Sequence, residues 1–128
     1  MNPELCSGRT LAFLGDAVWS LYVRRWLIEK GEGRGKTLQR LSVSYVSAKA
    51  QCRFYETLHA KNFFDEEEEG WFRRGRNGFT GSVPKHTDVQ IYKISTGFEA
   101  LLGGLELAGK EERIREIFDA VTAMEEKQ

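Results

Sequence analysis

Residues 11–23 read LAFLGDAVWSLYV and form the most apolar stretch of this 128-residue chain. Asp16 interrupts it, so the chain has no run of about 18 apolar residues, the length of a membrane span. At about 100° per residue, Leu11, Val18 and Leu21 share one helix face and Asp16 points roughly opposite. Its neighbours on that side are also apolar, which predicts a helix that is buried or faces a second protein surface, with Asp16 in apolar surroundings.

Helical spacing continues along the rest of the chain, and no stretch alternates between apolar and polar residues as a β-strand does. We therefore expect an all-α fold in a single domain covering residues 1–128. The predicted helices cover residues 10–30, 37–60 with a break near residue 43, 66–74, 87–107 and 110–124. The expected N-caps are Thr10, Asp65 and Thr87, and the expected helix ends lie at Gly31, Gly75 and Gly109. The last helix places an apolar set on one inward face: Ile114, Ile117, Phe118 and Val121.

Cysteine and histidine usage excludes several classes of protein. Cys6 and Cys52 form no CxxC pair, and neither they nor His59 and His86 have the spacing of a zinc site. The first residues lack the basic start and long apolar run of a signal peptide. We expect unpaired cysteines in a reducing compartment and no export of the chain.

The formal net charge is zero, but the charge is segregated along the chain. Residues 23–53 carry eight basic residues against two acidic ones, residues 54–72 carry six acidic against one basic, and residues 73–93 carry five basic against one acidic. Two basic segments can form a face that attracts phosphates while the molecule stays neutral. The acidic run at residues 66–69 starts a predicted helix that ends in arginines, which complements the helix dipole and favours a structural role over metal binding.

Glu99 is the second carboxylate in an apolar helix, in the segment IYKISTGFEALL at residues 91–102. Small residues lie near both acids: Gly15 beside Asp16, and Gly97 and Gly103 around Glu99. A glycine inside a helix costs up to about 1 kcal/mol relative to alanine, and close helix packing would offset that cost. We therefore expect the two helices to approach closely and to bring Asp16 and Glu99 together.

Two explanations of this pair remain open from spacing alone. Two carboxylates in partly apolar surroundings make a hard oxygen site that suits Mg²⁺ or Mn²⁺. The alternative is a structural ion pair with an arginine such as Arg9 or Arg25.

Several motifs, in order along the chain, resemble those of the ribonuclease III family catalytic domain. The broad match is carried by LGDAV at residues 14–18 and GFEALLG at residues 97–103. A narrower match to the Mini-ribonuclease III branch, which lacks a double-stranded-RNA-binding domain, is carried by further segments: VSAKAQ at 46–51, EEEE at 66–69, RRGRN at 73–77, PKHTDVQ at 84–90 and STGFEAL at 95–101.

This resemblance implies a homodimeric endoribonuclease that uses Mg²⁺, or Mn²⁺ as a substitute, to cut both strands of double-stranded RNA. For the Mini branch it implies maturation of large-subunit (23S) ribosomal RNA precursors in the bacterial cytoplasm or the chloroplast stroma, without a membrane partner. Asp16 and Glu99 carry over as the catalytic, metal-binding carboxylates. The wider family has further acids where this chain has Ala12 and Thr96, a loss that the Mini branch shares.

Basic residues around a glycine-rich loop at residues 75–86 are the expected RNA contacts, because duplex RNA is recognised mostly through its phosphates and 2′-hydroxyls. Lys49 is expected nearer the metal. The full set is Lys49, Arg73, Arg74, Arg76, Lys85 and His86. We expect Phe13 and Trp19 on the first helix to form part of a two-fold dimer interface.

Two other classes of function compete with an enzyme. A non-catalytic RNA-binding or ribosome-associated scaffold would keep the fold, yet would have no reason to bury two unpaired acids. A helical protein-interaction module would explain the apolar first helix but not the segregated basic segments.

Overall fold

The computed structural model describes residues 1–31, 33–78 and 82–126. Within these ranges it contains a 3₁₀ helix at Pro3–Leu5, six α-helices and no β-strand, so the predicted all-α class is confirmed. The α-helices are α1 (Gly8–Glu29), α2 (Gly35–Val46), α3 (Ala48–Ala60), α4 (Glu66–Asn77), α5 (Val89–Leu107) and α6 (Glu111–Glu126).

Helix α1 starts two residues earlier than its sequence pattern indicates. The N-cap is Ser7, whose hydroxyl accepts a hydrogen bond from the Thr10 backbone N–H at 3.1 Å, so Thr10 is not the cap. The helix ends before Gly31, which has a φ of 90° and supplies the left-handed conformation that stops a helix. This end is where the sequence predicts it.

The predicted break in the second helical region exists, but it lies at Ser47 rather than near residue 43. Ser47 is extended (φ −65°, ψ 157°) and belongs to both helices as the C-cap of α2 and the N-cap of α3. Its side chain accepts a hydrogen bond from the Ala50 N–H, which satisfies one of the free donors at the start of α3.

Helix α4 has the predicted Asp65 cap, strengthened by a reciprocal hydrogen bond from the Asp65 N–H to the Glu68 carboxylate. The predicted end at Gly75 is wrong, because the helix continues to Asn77. Gly75 is buried against α5, where an added Cβ would lie 2.5 Å from the Ala100 Cβ. The glycine therefore permits close helix packing and does not end the helix.

Helix α5 is capped by Asp88, whose carboxylate accepts from the Ile91 N–H at 3.0 Å, and not by the predicted Thr87. It lies at the centre of the molecule, packed by α1, α3 and α4. Its middle is almost wholly buried, including Phe98, Leu101 and Leu102. The predicted inward face of α6 is confirmed, since all four of its apolar residues are buried.

The aromatic side chains of α1, α3 and α6 meet α5 in one core. The Trp19 ring lies edge-on to Phe98 and Phe118, with centroids 5.1 and 5.4 Å apart, and its indole N–H donates to the Tyr45 carbonyl at 2.8 Å. Both cysteines are unpaired, as expected. Across the described ranges, no helix has the length and apolar character needed to cross a bilayer.

Candidate metal and RNA site

Helices α1 and α5 touch backbone to backbone where the two predicted acids lie. A Cβ on Gly15 would overlap the Glu99 carbonyl group, and a Cβ on Gly103 would overlap that of Leu11. Only glycine fits at these two positions, so the helix-destabilising residues are explained by contact between the helices. The close approach predicted from the glycines is confirmed.

Asp16 and Glu99 line one cleft with a volume of about 240 Å³. Burial of the Glu99 carboxyl raises its pKa to about 8, and the negative charge of the neighbouring Asp16 contributes to the increase. The two acids predicted to come together therefore line the same cleft in the structure. The other residues that line the cleft are Arg9, Ala12, Phe13, Gly75, Gly78, Ser82, Tyr92 and Thr96.

Of the two alternatives predicted for the first helix, burial and a face towards a second protein, burial does not hold on the side of Asp16. Glu99 is half-buried, but Asp16 is exposed at the mouth of the cleft, and the neighbouring Phe13 and Ala17 are exposed as well. The apolar residues on this side of α1 face solvent in the single chain. Apolar character around a helix therefore did not distinguish a core helix from one with an uncovered face.

The ion-pair alternative is not observed in the described part of the chain, where no lysine or arginine nitrogen lies within 4.0 Å of either carboxylate. Arg9 lines the cleft without pairing to the acids. The acids thus lie beside each other without a lysine or arginine to compensate them, so their repulsion is offset either by a proton that Glu99 retains or by a bound cation.

The donor set fits a small divalent cation. Mg²⁺ is commonly held by one or two carboxylates, with water and substrate phosphates as the remaining ligands. Asp16 and Glu99 provide those carboxylates, and burial together with the charge of Asp16 raises the pKa of Glu99, an effect that a bound cation would oppose. Among the residues described here, no cluster of three or more Asp, Glu, His or Cys side chains forms a metal site.

Gln51 is a site residue that our sequence reasoning missed. Its side chain is 1% exposed, and its Nε2 lies 3.5 Å from Glu99 Oε2. The motif at residues 46–51 contains this glutamine, but a single amide 48 positions before Glu99 gives no spacing signal. Only the packing of α3 against α5 brings them together.

The residues predicted to contact RNA lie on three segments. Lys49 is exposed in the first turn of α3, Arg73 is exposed on α4, and Lys85 and His86 are exposed between α4 and α5. Arg76, also on α4, packs over the Phe72 ring and donates to the Asn77 side chain at 3.0 Å. Part of the predicted basic loop, residues 79–81, falls outside the described residues.

Arg74 differs from the other basic residues because its guanidinium is bound to the N-terminal segment of the chain. It donates to the carbonyl oxygen of Cys6, lies 3.5 Å from that of Pro3 and forms an ion pair with Glu4 at 3.5 Å. These contacts fasten the N-terminal segment to α4. We therefore remove Arg74 from the predicted RNA surface.

The acidic run at the start of α4 has the structural role that its sequence favours. Glu68 is buried and pairs with Arg113, Glu67 pairs with Lys110, and Glu69 accepts from the Tyr55 hydroxyl at 2.5 Å. Tyr55 and Glu69 line a cavity of about 530 Å³ together with Arg73 and Arg76. Its charged groups are of both signs, so the cavity does not indicate a particular ligand.

The two residues expected at a dimer interface separate in the structure. Phe13 is 83% exposed, in agreement with the expectation, whereas Trp19 is 0% exposed and belongs to the core of its own chain. The prediction for Trp19 is wrong. Residues seven positions apart lie on nearly the same face of a helix, but Phe13 and Trp19 are six positions apart and therefore point in different directions.

Comparisons with known proteins identify the family to which this chain belongs. The family model for the ribonuclease III domain matches residues 9–110 of the sequence. Mini-ribonuclease 3 of Brevibacillus brevis is 45% identical over 98% of this chain and 92% of its own length, and that of Enterococcus faecalis is 38% identical over 88% and 86%. An X-ray structure of a Fusobacterium nucleatum protein superposes with a TM-score of 0.83 at 35% identity, covering 93% of each chain. The chain therefore belongs to the ribonuclease III family and is an endoribonuclease of its Mini-ribonuclease 3 branch.

Proposed function

We propose that this endoribonuclease uses Mg²⁺, with Mn²⁺ as a substitute, to cut both strands of double-stranded RNA. Its proposed substrate is the precursor of large-subunit (23S) ribosomal RNA, in the bacterial cytoplasm or the chloroplast stroma. The observation that carries this proposal is the pair of adjacent carboxylates, Asp16 and Glu99, in a cleft where no described cation compensates them.

Asp16 and Glu99 would hold the cation through their carboxylate oxygens. A bound divalent cation supplies a water of lowered pKa and stabilises charge on the leaving oxygen in phosphodiester hydrolysis. The chain itself contributes the rigid contact of α1 with α5, which fixes both acids on backbone that cannot separate without losing core packing. Arg9, at the cleft wall, is placed to meet a phosphate.

Binding of the duplex would depend on basic residues of α3, of α4 and of the segment that joins α4 to α5. A-form RNA presents phosphates and 2′-hydroxyls across its shallow minor groove, and Lys and Arg side chains bind phosphates largely without regard to sequence. The proposed surface consists of Lys49, Arg73, Arg76, Lys85 and His86.

We propose a homodimer because one metal site cuts one strand, and two sites related by a two-fold axis match the pseudo-symmetry of a duplex. Phe13, Leu21 and Ile28 leave an exposed apolar line on α1, with exposed fractions of 83%, 55% and 62%. Phe13 also lines the acid-containing cleft, so this interface would adjoin the active site. Sedimentation should show a dimer at micromolar concentration for the wild type and a monomer for Phe13→Asp, and a wild-type monomer would contradict the proposal.

The function is tested by incubating the purified protein with structured 23S precursor RNA in Mg²⁺ or in EDTA. We expect double-strand cuts with 5′-phosphate and 3′-hydroxyl ends in Mg²⁺, and no cuts in EDTA or with Asp16→Asn. A single-stranded RNA of equal length is the matched control. Tight binding of the duplex without cleavage in Mg²⁺ or Mn²⁺ would instead support the scaffold.

A further inference from the structure

Gln51 lies in the interior, where its amide connects the end of α2 to the candidate metal site. Its Nε2 donates to the Val46 carbonyl oxygen at 3.1 Å and lies 3.5 Å from Glu99 Oε2. Val46 is the last residue of α2, and its carbonyl has no partner within that helix. One side-chain nitrogen therefore links the α2–α3 junction to the acid on α5.

The other end of the same amide has no partner. Gln51 Oε1 is buried and accepts no hydrogen bond from the described residues. A buried acceptor without a donor lowers the stability of the fold. An apolar side chain of similar size would remove this unpaired acceptor but would also lose the hydrogen bond to the Val46 carbonyl oxygen, so fold stability does not by itself decide in favour of an amide at this position.

The contact with Glu99 accounts for the amide. A neutral N–H donor can fix the orientation of a carboxylate without neutralising its charge, whereas a lysine or arginine would compete with a bound cation. The partners that orient metal-binding side chains commonly affect metal affinity or activity by about 10–100-fold. Gln51 contacts one oxygen of the Glu99 carboxylate, Oε2.

We propose that Gln51 is a positioning residue that holds the Glu99 carboxylate in the orientation needed to bind the divalent cation, at a cost in fold stability. The inference rests on the proposed metal-dependent function. Gln51 itself need not touch the cation or the RNA, because it acts through Glu99.

The test measures Mn²⁺ binding to the purified protein without RNA, by electron paramagnetic resonance at one fixed pH. The variants are Gln51→Met, which keeps the volume and removes the amide, and Gln51→Asn, which keeps an amide too short to reach both Val46 and Glu99. The matched control is Thr122→Val, which removes another buried polar group, hydrogen-bonded only to the Asp119 carbonyl on α6. Melting temperature and RNA binding in EDTA are measured on each variant.

We expect both Gln51 variants to bind Mn²⁺ about tenfold more weakly than the wild type, with kcat lowered and RNA binding in EDTA unchanged. Gln51→Met should melt within a few degrees of the wild type, and Thr122→Val should keep wild-type Mn²⁺ affinity. If the wild type binds Mn²⁺ and either folded Gln51 variant binds it equally well, the positioning role is overturned. If the wild type binds no Mn²⁺, the metal-dependent function fails first, and the role of Gln51 fails with it.

Discussion

Glu68 and Glu99 are both withdrawn from water, and they differ in what surrounds them. Glu68 is 1% exposed and accepts two hydrogen bonds from Arg113, at 2.7 and 3.0 Å, and one from the Asp65 N–H at 2.9 Å. Glu99 has a second carboxylate beside it and only the weak donor Gln51. Both acids lie in helices packed in the same core, so burial alone does not identify a functional acid.

The difference lies in compensation of charge. The charge of a buried carboxylate is compensated when an arginine binds both of its oxygens, and removing one partner leaves an uncompensated charge. The Glu99 carboxylate lies next to another carboxylate and has no compensating positive charge among the described residues. Its pKa increases because neither burial nor its neighbour favours the ionised form. Residues with such uncompensated charge are candidates for function, which the following variants test.

The largest expected effect is on cleavage by Asp16→Asn and Glu99→Gln. Each change removes one of only two carboxylates in the cleft, so turnover should fall by several orders of magnitude while folding and RNA binding in EDTA are retained. Single-turnover cleavage of duplex RNA in Mg²⁺ measures the effect. Cleavage at near wild-type rates by either variant would remove that residue from the catalytic role.

Glu68→Gln should have the opposite outcome. The free energy of unfolding should fall by about 3 kcal/mol, because Arg113 loses its partner in a buried site. Cleavage per folded molecule should stay near that of the wild type, since Glu68 does not line the cleft. Chemical denaturation and an active-site-normalised assay measure the two quantities.

The pair Glu68→Met/Arg113→Met is the control for this explanation. Replacing both charged groups with apolar ones should recover part of the lost stability. If the double variant is as unstable as the sum of the two single ones, the ion pair is not the source of the effect.

The contrast between these acids also shows what the sequence could predict. Glycines beside Asp16 and Glu99 indicated the helix contact and thus the acid pair, because a glycine inside a helix needs a packing reason. At Gly75 the glycine was instead interpreted as a helix end, because it follows two arginines. That interpretation failed, since Gly75 lies within the helix and packs on Ala100. Gln51 and the engaged Arg74 were beyond sequence reasoning, because their partners lie 48 and 68 positions away.

A smaller effect is expected in the pH dependence of the free energy of unfolding, to which Glu99 should contribute. The folded-state pKa of Glu99 is raised from 4.5 to about 8, so between these values the unfolded chain releases a proton that the folded chain retains. In EDTA, the free energy of unfolding should therefore fall as pH rises from about 5 to 8. The contribution is on the order of a few kcal/mol, since one pKa unit corresponds to about 1.4 kcal/mol.

Glu99→Gln should remove this pH-dependent loss and be more stable than the wild type at pH 8. Asp16→Asn should reduce it only in part, because burial is the larger cause of the raised pKa. Denaturation curves at several pH values measure both. Parallel stability profiles for the wild type and Glu99→Gln would show that the Glu99 carboxyl titrates normally.

The smallest effects are expected at Arg73 and Arg74, two neighbouring arginines on α4. Arg74 is bonded within the chain, whereas Arg73 is available to bind RNA. Arg73 is exposed and has only a loose contact with Glu66 at 3.9 Å, whereas Arg74 is bonded to the N-terminal segment. Arg73→Ala should weaken RNA binding a few-fold and reduce the slope of log K against log salt by about 1, with little change in melting temperature. Arg74→Ala should lower the melting temperature and leave the salt slope unchanged. If the two variants exchanged these phenotypes, Arg74 would return to the RNA surface and the assignment of charges by their contacts within the chain would be wrong.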